Sequence, residues 1–241
     1  MTTLFISDLH LEADRPDIAE QFVAFLDGEA RDAEALYILG DLFEAWVGDD
    51  DPNPHYADMT QAIRSLADSG VPVYFMHGNR DFMIGEAFAA AAGVTLLKDP
   101  TTVDLYGQTV LLAHGDAYCT DDTEYQQMRI MLRNPEWQAM MLAKPVEERL
   151  AIARAAREQS IARNAGLPED IMDVNQGAIV AALRDAGVDL LLHGHTHRPA
   201  VHEFDLDGHK ATRIVLGDWY DQGSVVRWDE NGFDLSSMPR G

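Results

Sequence analysis

The sequence contains a single cysteine, Cys119, and this scarcity limits the chemistry that thiols can provide. No disulfide can form within the chain, which fits a reducing compartment. No neighbouring catalytic pattern requires a thiol nucleophile. We therefore expect Cys119 to be a small buried or half-buried residue.

Basic residues are also few. The chain has 18 Lys and Arg against 41 Asp and Glu, and its formal net charge is −23 at pH 7. Such an acidic surface disfavours nucleic acids and anionic lipid headgroups as bulk electrostatic partners, because both carry negative charge. We expect no nucleic-acid partner and most carboxylates on a solvated surface. No feature of the sequence indicates an obligatory protein partner.

Long apolar runs are missing as well. No stretch approaches the roughly 18 apolar residues that suggest a membrane span, and the first residues lack the basic and apolar segments of a signal peptide. These absences predict a cytoplasmic protein. With 241 residues, 46% of them hydrophobic, we predict one domain over residues 1–241 that carries an insertion.

Short apolar runs that end in Gly, Asp, His or Asn recur along the chain. The runs are Leu4–Ile6, Leu36–Leu39, Val71–Met76, Val110–Ala113, Leu190–Leu192 and Arg213–Leu216. Their length suits buried strands. Between the first of these runs lie segments whose apolar residues are spaced as in a helix. This alternation predicts an α/β sandwich whose first strands are mainly parallel. Ligands of such sheets lie at the carboxyl ends of the strands, where each polar cluster falls.

The stretch from about residue 121 to 170 is different, because it has no strand signal and is rich in helix formers. We predict a helical insertion over the rim where the strands end. Two later dipeptides, Asp207-Gly208 and Asn231-Gly232, predict hairpin turns near the end of the chain.

Seven oxygen and nitrogen ligands follow the predicted strands. They are Asp8, His10, Asp41, Asn79, His114, His195 and His197. Asp-x-His and His-x-His spacing places both side chains of each pair on one face of an extended segment. A set without sulfur suits Mn²⁺, Mg²⁺, Fe²⁺ or catalytic Zn²⁺ better than structural zinc.

Seven ligands are too many for one ion and reasonable for two. A shared carboxylate would hold two ions about 3.5–4 Å apart. Two divalent ions outweigh the charges of Asp8 and Asp41, so the site would attract a phosphate or diphosphate. The expected nucleophile is then a hydroxide that bridges the metals. We expect His77 and His193 to support the ligands, and Asp116 and Asp218 to orient histidines or turns.

The ordered motifs Asp8-x-His10, Gly40-Asp41, Gly78-Asn79, His114-Gly115 and Gly194-His195-Thr196-His197 resemble the calcineurin-like metallophosphoesterase superfamily. The resemblance implies a four-layer αββα sandwich with a dinuclear site. It implies that Asp8, His10, Asp41 and His197 hold one metal. It also implies that Asp41, Asn79, His114 and His195 hold the other, with Asp41 as the bridge.

Arg80 departs from the superfamily pattern, which usually places a His after Gly-Asn to protonate the leaving group. An Arg cannot act as a general acid at neutral pH, but it can bind a phosphate with two hydrogen bonds. This change favours a leaving group that departs without protonation, such as the phosphate of a diphosphate.

Longer strings narrow the resemblance to the pyrophosphohydrolases that cleave UDP-2,3-diacylglucosamine in lipid A biosynthesis. The strings are Leu42–Asp51, His114–Asp116 followed by Cys119–Asp122, Ile171–Gln176 and His193–Pro199. The resemblance implies the products UMP and 2,3-diacylglucosamine 1-phosphate, two Mn²⁺ per chain, and peripheral attachment to the cytoplasmic side of the inner membrane. The roles of Asp41, Asn79, Arg80 and His195 would be catalytic.

Substrate contacts are implied by the same resemblance. They fall on Asn79, Arg80, Asp122, Ser160, Asn164 and His195. A further position that usually holds Lys is Leu167 here, and Arg157 or Arg163 are candidates to replace the missing cation.

The segment 125–167 has seven basic and four acidic residues and several methionines. A basic, Met-rich helical lid would suit a substrate with acyl chains and phosphate, and it would suit contact with a membrane surface.

Two other functions fit some of these features. A general Mn-dependent nucleotide phosphodiesterase would use the same fold and ligands, but Arg80 and the apolar insertion disfavour it. A catalytically inert binding scaffold would not need all seven ligands. The metal in the cell, the oligomeric state and the preferred acyl chain are not determined by the sequence.

Overall fold

The computed structural model describes residues 2–164 and 171–239, with the side chain of Asn164 left out. Leu167 and the end of the predicted insertion, residues 165–170, lie outside the described residues. The described part contains two β-sheets and seven α-helices. None of the described helices is long and apolar enough to cross a membrane.

The first sheet has six strands in the order β11-β10-β1-β2-β3-β4. Its strands are β1 (Thr3–Ile6), β2 (Ala35–Ile38), β3 (Val73–Met76), β4 (Val94–Leu97), β10 (Gly223–Asp229) and β11 (Gly232–Met238). Strands β1 to β4 are parallel, as the alternation of strands and helices predicted, whereas β10 pairs antiparallel with β1.

The second sheet has five strands in the order β5-β6-β7-β9-β8. Its strands are β5 (Thr101–Leu105), β6 (Gln108–Ala113), β7 (Leu190–His193), β8 (Ala200–Leu206) and β9 (His209–Val215). Strands β6, β7 and β9 are parallel, so their carboxyl ends lie on one edge. The hairpins β8–β9 and β10–β11 turn at the two predicted dipeptides.

Seven described helices accompany the two sheets: the first three cover the outer face of the first sheet, the last covers that of the second, and the other three form the predicted insertion. They are α1 (Pro16–Asp27), α2 (Pro54–Asp68), α3 (Glu86–Ala92), α4 (Thr123–Leu132), α5 (Pro135–Leu142), α6 (Val146–Asn164) and α7 (Gln176–Ala186). Two short 3₁₀ turns, Glu29–Asp32 and Asp116–Tyr118, complete the described elements.

Alternation along the strands builds three apolar layers. On β1, Leu4 and Ile6 pack against α1 and α2, whereas Phe5 points into the core between the sheets. On β6, Leu112 joins that central core, and Leu111 packs against α7. Because successive strand residues face opposite sides, each central strand is buried on both faces. The predicted four-layer αββα sandwich is confirmed.

The two strands that the sequence did not predict, β4 and β5, lie at sheet edges. Their residues are mostly half-buried or exposed, in contrast to the fully buried β1. An edge strand buries little apolar surface, so it lacks the continuous apolar run that marks a central strand.

The predicted insertion contains three helices, α4 to α6. Helix α4 buries none of its residues, and α5 buries only Met141. Pro135 occupies the first turn of α5, where its missing N–H costs nothing. These helices bind to the sandwich mainly through arginines, as described below.

Candidate metal centre

The backbone of the predicted ligands is unusual. Five of the seven have left-handed φ: Asp8 (57°), His10 (52°), Asp41 (52°), His195 (69°) and His197 (57°). In the described chain only two other non-glycine residues do so, Tyr106 and Asp207, both in hairpin turns. Such conformations cost about 1–3 kcal/mol each and collect at functional sites. The loops after the strands are therefore shaped to place side chains.

One group of ligands comes from the loops that follow β1 and β7. Single ligand atoms of Asp8, His10 and His197 all lie within 4.8 Å of one another. The Nε2 atoms of His10 and His197 are 3.1 Å apart, and Asp8 Oδ1 lies 3.4 Å from His197 Nε2. Two imidazole nitrogens and a carboxylate oxygen thus converge on one point.

A second group comes from the loops after β2, β3, β6 and β7. Ligand atoms of Asp41, His114 and His195 also lie within 4.8 Å of one another. Asn79 joins them, because its Oδ1 lies 2.9 Å from His114 Nε2 and 2.8 Å from His195 Nδ1. Four of the seven predicted ligands therefore meet here.

Asp41 lies between the two groups. Its Oδ2 is 4.0 Å from His10 Nε2, and its Oδ1 is 3.7 Å from His114 Nε2. Each oxygen faces a different group, which is the arrangement that a carboxylate shared by two cations requires.

Glycines allow the loops to approach this closely. A Cβ atom on Gly78 would lie 2.0 Å from Asp41 Oδ1, and one on Gly194 would lie 2.3 Å from both Asp8 Oδ2 and Ser7 Oγ. No side chain fits at these distances, so the Gly-Asn and Gly-His motifs are steric requirements of the site.

Other polar groups orient the ligands. Buried Asp81 accepts hydrogen bonds from the N–H groups of Gly78 (2.8 Å) and Leu42 (2.7 Å), which ties two ligand loops together. Asp218 Oδ2 lies 3.3 Å from His197 Nδ1 and turns Nε2 toward the site, as expected from the sequence. Buried polar partners of this kind fix the orientation of metal ligands.

The local potential is strongly negative. Burial lowers the pKa of His197, but Asp218 and Asp8 outweigh it and raise that pKa to about 10. Burial likewise opposes the charge on His114, yet Asp41 and Asp116 raise its pKa to about 9. The carboxylates that draw protons onto these two imidazoles also stabilise cations, since metals and protons compete for the same ligands. The donor set and its potential fit two divalent cations.

Arg80 and Glu44 lie beside the ligands. The Arg80 N–H donates to Asp41 Oδ1 at 2.8 Å, and its side-chain Nε has no hydrogen-bond partner among the described residues. Glu44 lies 3.7 Å from Arg80 Nη1 and 3.0 Å from His10 Nδ1. Burial raises the pKa of Glu44, but His10 and Arg80 lower it overall.

Three of the predicted substrate contacts, Asn79, Arg80 and His195, lie among the ligands. The other three lie along the insertion. Asp122 caps the first turn of α4 through the Tyr125 N–H and forms a bidentate pair with Arg163. Ser160 is half-buried on α6, and Asn164 is the last residue of that helix. Neither Arg157 nor Arg163 is an isolated cation, because Arg157 Nε lies 2.7 Å from Glu44 Oε1.

Several other polar residues have structural positions. His77 contacts the Ile84 carbonyl at 2.7 Å, and His193 contacts the Gly194 carbonyl at 2.8 Å. Burial lowers the pKa of His193 to about 3, so this residue is neutral. Cys119 is buried, as predicted, and burial raises its pKa to about 12. Asp116 accepts from Tyr125 and Arg129 and makes no direct contact with a described histidine side chain.

The sequence did not single out four residues that shape the site. Glu44 lies within one of the quoted strings, and Asp81 directly follows Arg80, so acidic side chains this close to the ligands in sequence were a usable signal. The rings of Tyr220 and Tyr125 lie parallel to His10 (5.3 Å between centroids) and His195 (6.0 Å). No local pattern indicated these two stacking contacts, because they join distant segments.

Comparison with known proteins shows the family of this chain. The family model described as calcineurin-like phosphoesterase matches residues 1–199. This chain belongs to that family. The expected dinuclear centre is consistent with the two ligand groups of this phosphoesterase.

Curated relatives of this phosphoesterase are described as UDP-2,3-diacylglucosamine hydrolase. The protein of Stenotrophomonas maltophilia (strain K279a) is 51% identical over 100% of both chains. That of Xanthomonas axonopodis pv. citri is 52% identical over 99% of both. That of Chromohalobacter salexigens is 56% identical over 91% of this chain and 89% of the relative. The narrower resemblance is confirmed, and this phosphoesterase is a hydrolase.

Proposed function

We propose that this protein hydrolyses the diphosphate bond of UDP-2,3-diacylglucosamine to UMP and 2,3-diacylglucosamine 1-phosphate in lipid A biosynthesis. The observation that carries the proposal is Asp41, which faces two separate ligand groups while Arg80 stands next to them. The names of the full-length relatives support the choice of substrate.

Each ligand group would hold one cation. Asp8, His10 and His197 would bind the first, Asn79, His114 and His195 the second, and Asp41 both. When bound, two divalent cations supply positive charge that stabilises the diphosphate, and they lower the pKa of the water that acts as nucleophile. Mn²⁺ suits these nitrogen and oxygen donors, as do Mg²⁺, Fe²⁺ and Zn²⁺.

Arg80 binds the phosphate that leaves. Its backbone N–H donates to Asp41, which places the guanidinium beside the ligands. Its Nε has no hydrogen-bond partner in the described part of the chain, so this N–H can donate to a phosphate. The group that departs is a sugar phosphate, a stable anion that needs no proton. A residue that neutralises charge therefore serves better here than a general acid.

The helical insertion binds the lipid part of the substrate. Met128, Ile130, Met131 and Met140 are exposed on α4 and α5, and Ile130 is 72% exposed. Exposed apolar side chains at this density mark a surface that contacts apolar ligands. Asp122, Ser160 and Asn164 lie in or beside the same insertion and would contact the sugar. The same surface would attach the protein peripherally to the cytoplasmic face of the inner membrane.

Hydrolysis in ¹⁸O-labelled water tests the proposal and its direction. We expect one labelled oxygen in UMP, because attack at the UMP-side phosphorus leaves the sugar phosphate unlabelled. Label in the sugar phosphate would contradict that direction, and no cleavage of this substrate with Mn²⁺ would contradict the proposed function.

The general phosphodiesterase is tested in the same experiment with bis-p-nitrophenyl phosphate. We expect the lipid substrate to have a far higher kcat/KM, because Arg80 and the insertion do not assist a simple diester. Equal kcat/KM values would favour the general enzyme. A protein that neither binds Mn²⁺ nor hydrolyses either compound would be an inert scaffold.

A further inference from the structure

Glu44 occupies the junction between two ligand loops. Its N–H donates to the Leu11 carbonyl at 3.1 Å, and the Leu11 N–H donates to the Leu42 carbonyl at 2.8 Å. These backbone bonds join the loop that carries His10 to the loop that carries Asp41. The Glu44 side chain is only 16% exposed, so its carboxylate must be compensated by polar partners.

One carboxylate oxygen faces a predicted metal ligand. Glu44 Oε2 lies 3.0 Å from His10 Nδ1. A carboxylate has no donor, so this contact favours the proton on Nδ1 and leaves the lone pair of His10 on Nε2. That nitrogen is the one 3.1 Å from His197 Nε2 and 4.0 Å from Asp41 Oδ2. Tyr220, stacked on the His10 ring, limits rotation of the same imidazole.

The other oxygen faces two cations. Glu44 Oε1 lies 2.7 Å from Nε of Arg157 on helix α6 and 3.7 Å from Nη1 of Arg80. Arg157 belongs to the insertion, whereas Arg80 follows the metal ligand Asn79. One side chain therefore contacts a ligand, the residue that we assign to the leaving phosphate, and the helix above the site.

We propose that Glu44 is a positioning residue that holds the His10 imidazole for metal binding with one oxygen, and with the other holds Arg80 and Arg157 for the phosphate groups of the substrate. The inference rests on the proposed function for its second half only. Glu44 itself would touch neither metal nor substrate, and its effect would pass through the three side chains that it contacts.

The two halves are separable by substitution. Glu44→Ala removes the contact with His10 and the contacts with the two arginines. Glu44→Gln keeps an amide oxygen that can accept from His10 Nδ1–H, but it turns an N–H₂ group toward the guanidinium groups and removes the negative charge. A matched control is Glu12→Gln, which removes one charge two residues after His10, from a carboxylate with no described side-chain contact to that imidazole.

Titration of the metal-free full-length proteins with Mn²⁺ alone tests the first half without any turnover. For Glu44→Ala we expect the affinity of one of the two sites to fall by about 10–100-fold, the usual effect of losing a partner of a metal-bound His. Glu44→Gln and Glu12→Gln should bind Mn²⁺ as the wild type does. Wild-type affinity in Glu44→Ala, or equal losses in Glu44→Ala and Glu12→Gln, would overturn this half.

Steady-state kinetics at saturating Mn²⁺ test the second half. Glu44→Gln should raise KM for UDP-2,3-diacylglucosamine several-fold, and Glu12→Gln should not. An unchanged KM in Glu44→Gln would overturn this half. If Glu44→Ala bound Mn²⁺ normally while the wild type cleaved the substrate, the role of Glu44 would fail and the proposed function would stand. An inactive wild type would contradict the function instead.

Discussion

The rim that carries the metal ligands and the helical insertion above it are built in opposite ways. At the rim Asp8, His10, Asp41 and His114 are buried. Gly78 and Gly194 let the loops approach closely, and Asp81 ties the loop of Asp41 to that of Gly78. In the insertion α4 buries no residue, and apolar side chains face outward. A fixed rim suits chemistry that is sensitive to distance, and an exposed apolar surface suits a variable lipid.

Charge connects the two regions. The sequence gives the insertion a basic excess, and the structure directs several of those arginines at acidic or carbonyl groups of the body. Arg129 forms ion pairs with Asp116 and Asp99, and Arg133 donates to the Gly78 carbonyl. Arg149 pairs with Asp50, and Arg157 pairs with Glu44. The apolar residues are thereby left on the outer surface. The insertion is held over the site by ion pairs rather than by a large apolar core.

Asp41→Ala should give the largest effect, because it removes the carboxylate between the two ligand groups. We expect kcat to fall by about a thousandfold or more, since several kcal/mol of charge stabilisation are lost and about 1.4 kcal/mol corresponds to tenfold. Steady-state assays with saturating Mn²⁺ measure this, and near-normal kcat would refute the dinuclear centre.

Gly78→Ala tests whether the rim is as tightly fixed as the geometry indicates. The new Cβ would lie 2.0 Å from Asp41 Oδ1, so Asp41 must move. A displacement of about 1 Å can cost about 100-fold in kcat, and we expect a loss of that order. Gly70→Ala is the control: its φ is +100°, but nothing lies within 4 Å of the added Cβ. It should lower stability slightly and leave kcat unchanged. Equal kcat in both variants would show that the rim tolerates movement.

Arg149→Ala tests the attachment of the insertion. Arg149 is buried, contacts Asp50 with two nitrogens and donates to the Val47 carbonyl. Hydrogen bonds to charged groups contribute about 1.5–3 kcal/mol, so a looser α6 should raise KM for the lipid substrate by about tenfold. The affinity for Mn²⁺ should not change. Arg184→Ala breaks an exposed pair with Asp207 as a control. A matching rise in KM there would argue against a specific role for Arg149.

The double variant Ile130→Ser, Met131→Ser tests the outer apolar surface. Partial burial of such side chains against lipid contributes about 1 kcal/mol, so KM for substrate in vesicles should rise about fivefold. Hydrolysis of bis-p-nitrophenyl phosphate should stay the same. Val201→Ser, at an exposed apolar residue on β8, provides the control. If both variants behaved like the wild type, the lipid would bind elsewhere.

Cys119→Ala should have the smallest effect. Its thiol is buried and donates to the Met172 carbonyl, and a pKa of about 12 leaves almost no thiolate at neutral pH. We expect kcat and KM of this variant on the lipid substrate to lie within about twofold of the wild-type values. A small cavity lowers the free energy of unfolding and leaves the reacting groups in place. A large loss of kcat would reopen a role for the thiol.

Much of this molecule could be predicted from local patterns. Continuous apolar runs indicated the central strands, and six of the seven predicted ligands belong to the two groups that the structure brings together, with Asn79 in contact with the second. Those residues follow the strand ends directly, so sheet topology alone brings them near one edge. The edge strands β4 and β5 escaped prediction because they bury little apolar surface.

Contacts between distant loops were beyond prediction. Arg149 and Asp50 are 99 residues apart, and Glu44 meets Arg157 through a helix whose direction no local pattern fixes. The sequence showed that the insertion is basic but not that its arginines face the body. It likewise gave no sign that Tyr220 stacks on His10, since that contact depends on how the loop after β9 crosses the rim.

Titration of activity with metal tests directly whether the protein works through a dinuclear centre. Metal-free protein would be mixed with increasing Mn²⁺, and UMP release from UDP-2,3-diacylglucosamine would be followed together with bound metal. We expect no turnover without metal and full turnover at two bound Mn²⁺ per chain. Turnover by the metal-free protein, or full activity with one bound ion, would contradict a dinuclear centre.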